Sequence, residues 1–243
     1  MNVYPVNAIA GAGLYSPQKQ SYALLTDLHN RYLENQVDFN SRDIQLEGNW
    51  SKSIPADVFI IANTNAISGT IKFYLGANIV WEKSFELPYN VNIITSLNEY
   101  NLIKEHQFER FVLTLHGNEY IKIGYIYIGK TWVLPRFIVN PKKTLQLRNE
   151  AGRSFGGQVI GIPIETLRDF AVQFVRIKNQ DMKKIDDYIN GVQTVIPHVI
   201  DPYSEAHEEF EPLFVTISEI GEKEKRAENG FFWNFSMSWQ EAK

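Results

Sequence analysis

The chain has no cysteine in its 243 residues and only three methionines. Disulfides, thiolate metal sites and cysteine nucleophiles are therefore excluded. It has no strong charge of either sign: 24 basic against 28 acidic side chains, net -4. A general nucleic-acid binder would carry a basic excess, so nucleic acid is not an expected partner. No apolar run approaches the roughly 20 residues that a spanning helix needs, and no membrane role is expected. The first residues, MNVYP, lack the basic and apolar regions of a signal peptide. Internal repeats and low-complexity tracts are also missing.

Aromatic residues are abundant, at 13%, and they recur in short alternating runs, as expected of pleated sheets. Residues 57–62 (DVFIIA) form an apolar run that reads as a strand buried on both faces. Residues 70–75 alternate, with Ile71, Phe73 and Leu75 on one side, and Gly76-Ala77-Asn78 turns the chain back. Residues 111–115 alternate in the same way, and Gly117-Asn118 reads as a tight turn with φ > 0 into the Ile- and Tyr-rich run 120–134. In residues 231–239 Phe231, Trp233, Phe235, Met237 and Trp239 share a face, which predicts a strand packed on its own core. Residues 179–190 carry Met182, Ile185 and Ile189 at helical spacing and stop at Gly191. Residues 159–164 and 170–177 read as strands, with a helical turn as the alternative over 166–175. The expected fold is mainly β: an extended arm over 1–20, a jelly-roll β-sandwich over 21–137, and a smaller β-rich domain over 138–243 with its helix near 179–190.

Residues 124–131 (GYIYIGKT) match the phosphate-loop pattern GxxxxGK[ST]. That loop works by turning flexible backbone N–H groups onto phosphates and opening into a helix. Here Tyr, Ile, Tyr and Ile are strand formers, Pro135 blocks a following helix, and the apolar run ends at Asn63 rather than an acidic residue. Nucleotide is not expected, nor any other cofactor. Residues 152–161 (GRSFGGQVIG) read as a turn with a bulge, although Arg153 could hold an anion or a partner's carboxylate. His207 lies among Glu205, Glu208, Glu209 and Glu211; without an ordering loop this reads as a solvated acidic stretch, and no metal site is expected. Residues 222–228 read as a charged hairpin loop. Catalytic residues are not expected, since no serine elbow or metal-protease spacing is present. Trp50, Trp81 and Trp132 are interaction candidates, for protein or for glycan, because exposed indoles stack on sugars and anchor interfaces.

Residues 56–76 (ADVFIIANTNAISGTIKFYLG) resemble a strand, asparagine turn and small-residue hairpin of tailed-phage virion proteins, with Asn63-Thr64 in place of the usual glycine-histidine. Residues 120–137 (YIKIGYIYIGKTWVLPRF) look like the closing strand of their galactose-binding-like (discoidin-like) jelly roll. Residues 153–157 (RSFGG) and the terminal FFWNFSMSWQEA resemble the opening and closing of their second part. The resemblance implies a non-enzymatic structural protein of the tail, tail tip or neck. It would assemble in the host cytoplasm with other virion proteins, as a homo-oligomeric ring. A carbohydrate-binding module for host-surface glycans is the alternative.

Overall fold

The computed structural model describes residues 1–5, 7–19, 25–29, 36–87, 95–96, 106–135, 138–153, 159–193, 196–201, 213–226 and 232–242, with the backbone alone at Asn2, 95–96, His106, 138–153 and 159–168. The fold is mainly β, with one α-helix among the described residues. The strands are β1 (Asn2–Tyr4), β2 (Gly13–Tyr15), β3 (Val37–Asp38), β4 (Asp43–Ala56), β5 (Val58–Thr64), β6 (Ser68–Leu75), β7 (Asn78–Glu86), β8 (Thr95–Ser96), β9 (His106–His116), β10 (Lys122–Gly129), β11 (Trp132–Val133), β12 (Ile138–Arg153), β13 (Val159–Lys178), β14 (His198–Asp201), β15 (Leu213–Ile220), β16 (Glu224–Arg226) and β17 (Phe232–Glu241). The helix α1 is Asn179–Val192.

The chain divides into two compact units. The first is Met1–Val133 with His198–Leu213, and the second is Leu134–Pro197 with Phe214–Ala242. Residues 198–213 were expected in the second part; β14 instead pairs with β1, whose other neighbour is β11.

The first unit is a sandwich of a five-stranded sheet, β2-β4-β9-β6-β7, and a four-stranded sheet, β3-β10-β5-β8. Ile44, Leu46, Ile71, Phe73, Leu113 and Leu115 of the first sheet share one core with Phe59, Ile61, Ile126 and Ile128 of the second. The five-stranded sheet alternates core-facing and outward residues because water bathes its other side. β5 and β10 do not alternate, because both of their faces are covered. Their second face holds Val58, Ile60, Tyr125 and Tyr127, all buried, and Tyr4 meets Tyr127 edge-on at 5.8 Å.

The N-terminal residues are not an arm. Val3, Tyr4, Ile9 and Leu14 are buried, β2 pairs with β4, and residues 8–11 form a 3-10 turn capped by Asn7. Pro5, Gly11, Gly13 and Pro17 break the segment into short pieces, which still bury Val3, Tyr4, Ile9 and Leu14, while Tyr15 is exposed. The Gly117-Asn118 turn also differs from expectation. It carries the chain from β9 in one sheet to β10 in the other, and neither residue has positive φ. The space beside its glycine is tight, since a Cβ would stand 3.1 Å from the Glu119 carbonyl oxygen.

In the second unit β15, β17, β13 and β12 are neighbours in that order, and β16 pairs with the early part of β17. β16 makes part of the charged 222–228 stretch a strand rather than a free loop. β13 is strand throughout, so the helical alternative over 166–175 is not realised. α1 buries Met182, Ile185, Tyr188 and Val192 and ends on Gln193 in the left-handed region, φ 49°, two residues beyond the expected stop at Gly191. Phe235, Met237 and Trp239 of β17 are buried. Phe174 stacks on Phe235 at 4.8 Å, and the Trp239 indole N–H donates to the Tyr188 hydroxyl at 2.9 Å. Phe235, Met237 and Trp239 of the alternating face therefore pack within their own unit; Phe231 lies outside the described residues.

Candidate functional site

β4, β9 and β6 set Asp43, His116 and Ser68 side by side in register on the water-facing side of the five-stranded sheet. The His116 Nδ1 and Asp43 Oδ1 atoms are 2.6 Å apart, with the two side chains 51% and 77% exposed. A carboxylate, an imidazole and a hydroxyl in a row have the composition of a proton relay. Such a relay needs a dry, enclosed setting to raise the strength of its charges. This one lies on an open pleated face among Lys72–Glu82 (2.9 Å), the Thr70–Ser84 hydroxyl pair (3.0 Å) and Arg110 stacked over Tyr74 (4.0 Å). Those pairs make a cross-strand polar ladder, the ordinary cover of a solvated sheet.

The second unit holds a cleft of about 290 Å³, lined by Gln173, Phe174, Glu222, Glu224, Asn234 and Phe235 among others. It lies beside the β13 irregularity between Phe174 and Ile177, where Arg176 takes φ 57°. The Arg176 amide donates to the Asn234 side-chain oxygen at 2.9 Å, which occupies one polar group of the lining. Two carboxylates over an aromatic floor would favour a small cation or a basic side chain.

The candidate residues fall elsewhere. Trp50 is buried; its indole N–H donates to the Ala8 carbonyl at 2.8 Å and its ring lies 5.6 Å from Phe111. Trp81 is half-buried against Phe73 at 5.7 Å. Both join one aromatic cluster through Phe73 and Phe111, 6.3 Å apart. Trp132 is half-buried in β11 opposite Val3. Arg153 is the last residue of β12, paired with Val159. The acidic stretch 205–211 lies outside the described residues.

The phosphate-loop match is a central strand. Residues 125–129 pair with β5, and Thr131 donates from its amide (2.6 Å) and its hydroxyl (3.0 Å) to the Asp57 carboxylate. The backbone a phosphate would require is committed to the sheet. Sequence reasoning missed the residue that seals this strand's other edge. The Asn7 side chain donates to the Ile126 carbonyl at 2.6 Å and accepts from the Ile128 amide at 3.1 Å, as a neighbouring strand would. It also accepts from the Ile9 amide at 3.2 Å. Burial pushes the Tyr125 phenol well above its usual range, against an opposing hydrogen bond with Asn7. Burial does the same to Tyr188, opposed by the bond from Trp239. A lone asparagine before two apolar residues gives no signal of this role, because its partners lie 119 and 121 residues away. Among the described residues no group of three metal-ligating side chains comes together, and no helix is long and apolar enough to cross a membrane. No protein-family profile matches the chain, and no curated protein matches it.

Proposed function

We propose that this chain is a non-enzymatic structural component of a tailed-phage virion, of the tail, tail tip or neck, which acts by protein–protein assembly in several copies. The observation that carries the reading is the order of four resembling stretches, 56–76, 120–137, 153–157 and the terminal strand, within a mainly β chain. The commitment of the 124–131 backbone and of Trp50 to structure supports it, since these are two of the features that would otherwise suggest ligand chemistry. Mass spectrometry of purified tailed particles tests the virion part: the chain is expected at a fixed ratio to other tail proteins. Its absence from particles that infect normally would overturn the assignment.

The glycan-binding reading keeps less support, because Trp50 is inside the core. Trp132, half-buried on a short strand, is its best remaining tryptophan. A glycan array that gives a hit abolished by Trp132→Ala would favour this reading over assembly.

A further inference from the structure

β13 runs from Val159 to Lys178, but β17 accompanies it only from Asp169 onward. Its first ten residues, 159–168, pair with β12 alone, from Arg153↔Val159 to Leu145↔Arg168. Among the described residues no third strand borders this outer ribbon. Ten residues of strand extend roughly 33 Å. A lone two-stranded ribbon is marginal in water and normally needs a third strand or a packed surface. Its open edges are also templates for pairing with another chain.

Charge indicates what covers it. Residues 138–168 carry five basic and two acidic side chains, out of 24 and 28 in the whole chain. The segment is therefore net +3 and the remainder net -7. Lys142, Lys143, Arg148 and Arg153 lie on β12 with only Glu150 to oppose them, so two β12 edges brought together would meet like charge. The remainder of another copy, net -7, is opposite in sign to the segment. A contact between two different surfaces is heterologous, and repeated it closes into a ring or runs on as a filament.

We infer that the outer β12–β13 ribbon is an assembly arm that seats on the acidic surface of a neighbouring copy of this chain. The inference rests on the assembly reading above and adds the segment and the partner. The test compares the full chain with two variants by light scattering over a concentration series. In the first, residues 147–166 are replaced by Asn-Gly, so that Gln146 and Leu167, already opposite each other, flank a two-residue turn. In the second, Lys143→Glu, Arg148→Glu and Arg153→Glu reverse the arm's charge at full length. The native chain is expected at a multiple of 28.0 kDa. The shortened chain is expected as a monomer with unchanged near-ultraviolet circular dichroism. The charge-reversed chain, whose segment becomes net -3, is expected to associate at least about tenfold more weakly, with salt now strengthening rather than weakening association. If the charge-reversed chain associates as the native chain does, the arm is overturned while the assembly reading stands; that variant decides alone should the shortened one misfold. If the native chain is monomeric at every concentration, self-assembly itself fails and the arm with it.

Discussion

β10 and the β12–β13 ribbon treat the same problem in opposite ways. Both are strands with backbone groups to satisfy. β10 has β5 along one side, and β3 together with the Asn7 side chain along the other; both of its faces are buried. Among the described residues the outer ribbon, 145–153 with 159–168, has one partner per strand. A third edge, β7, lies between these extremes: among the described residues it borders β6 alone, but it breaks register between Phe73 and Tyr74. β7 also sets Lys83 opposite the buried Ile71, on the core-facing side. A bulge and an inward charge are what discourage a further strand from adding. At β10 and β7 the edges are thus sealed or blunted within the chain itself. The long pair also breaks register, between Arg148 and Asn149, and carries Pro163 on β13, and its basic residues repel a like edge but invite an acidic surface.

The largest expected contrast is in hydrogen exchange. Amides of β10 exchange only through global opening, whereas amides of 145–153 and 159–168 in the isolated monomer exchange orders of magnitude faster. Equal protection in dilute monomer would abolish the comparison. In stability the largest single effect belongs to the sealed side. Phe59 is fully buried on β5, and Phe59→Ala is expected to cost about 3–5 kcal/mol in urea denaturation, since the cavity cannot collapse between two sheets. Asn7→Ala follows at about 2–3 kcal/mol, because it strands the Ile126 carbonyl and the Ile128 amide in a buried strand. The Ile128 amide should become the fastest-exchanging position of β10. If its protection stayed at the native level, another group would be holding that edge.

Much of the architecture was legible because it is written in local alternation. Ile71 and Phe73, Leu113 and Leu115, and Phe235, Met237 and Trp239 each point inward where period two places them. Local reading fails where the cause is distant. Residues 1–20 look like an arm because Pro and Gly interrupt every pattern, yet their burial depends on β4, β11 and β14, far along the chain. Leu75 fits its alternating run but is exposed, since the hairpin bulges before it. Trp50 was a candidate for its chemistry alone; that Phe111 and the Ala8 carbonyl enclose it is a tertiary fact. The His116–Asp43 pair joins residues 73 apart, and no spacing rule could have set them together.

Tyr188→Phe has a smaller effect, with a pH signature. It removes the acceptor of the Trp239 indole N–H and should cost about 1–2 kcal/mol near neutrality. Burial raises the native phenol's pKa above the ordinary tyrosine value of about 10. Between those two values the unfolded chain releases a proton that the native chain retains. The stabilisation is thus complete below about pH 10 and is lost as pH rises above it. The variant should lose less stability than the native protein on the alkaline side. A parallel decline would assign that limb to Tyr125, whose phenol is raised by the same cause.

The smallest expected effect is at the pair with the most suggestive composition. His116 and Asp43 are 2.6 Å apart yet both well exposed. In water the attraction of such a pair is offset by solvation and by the entropy of holding two side chains together. His116→Ala and Asp43→Asn are therefore expected to shift Tm by no more than about 2 °C. They should also leave the slow background hydrolysis of an activated ester unchanged, because nothing on an open sheet face isolates the ring from solvent. A drop in that hydrolysis specific to both variants and to Ser68→Ala would make the row a working relay and remove the non-enzymatic reading. Unchanged rates with unchanged stability would instead place these residues with Lys72, Glu82 and Arg110, as polar cover on the water-facing side of the five-stranded sheet.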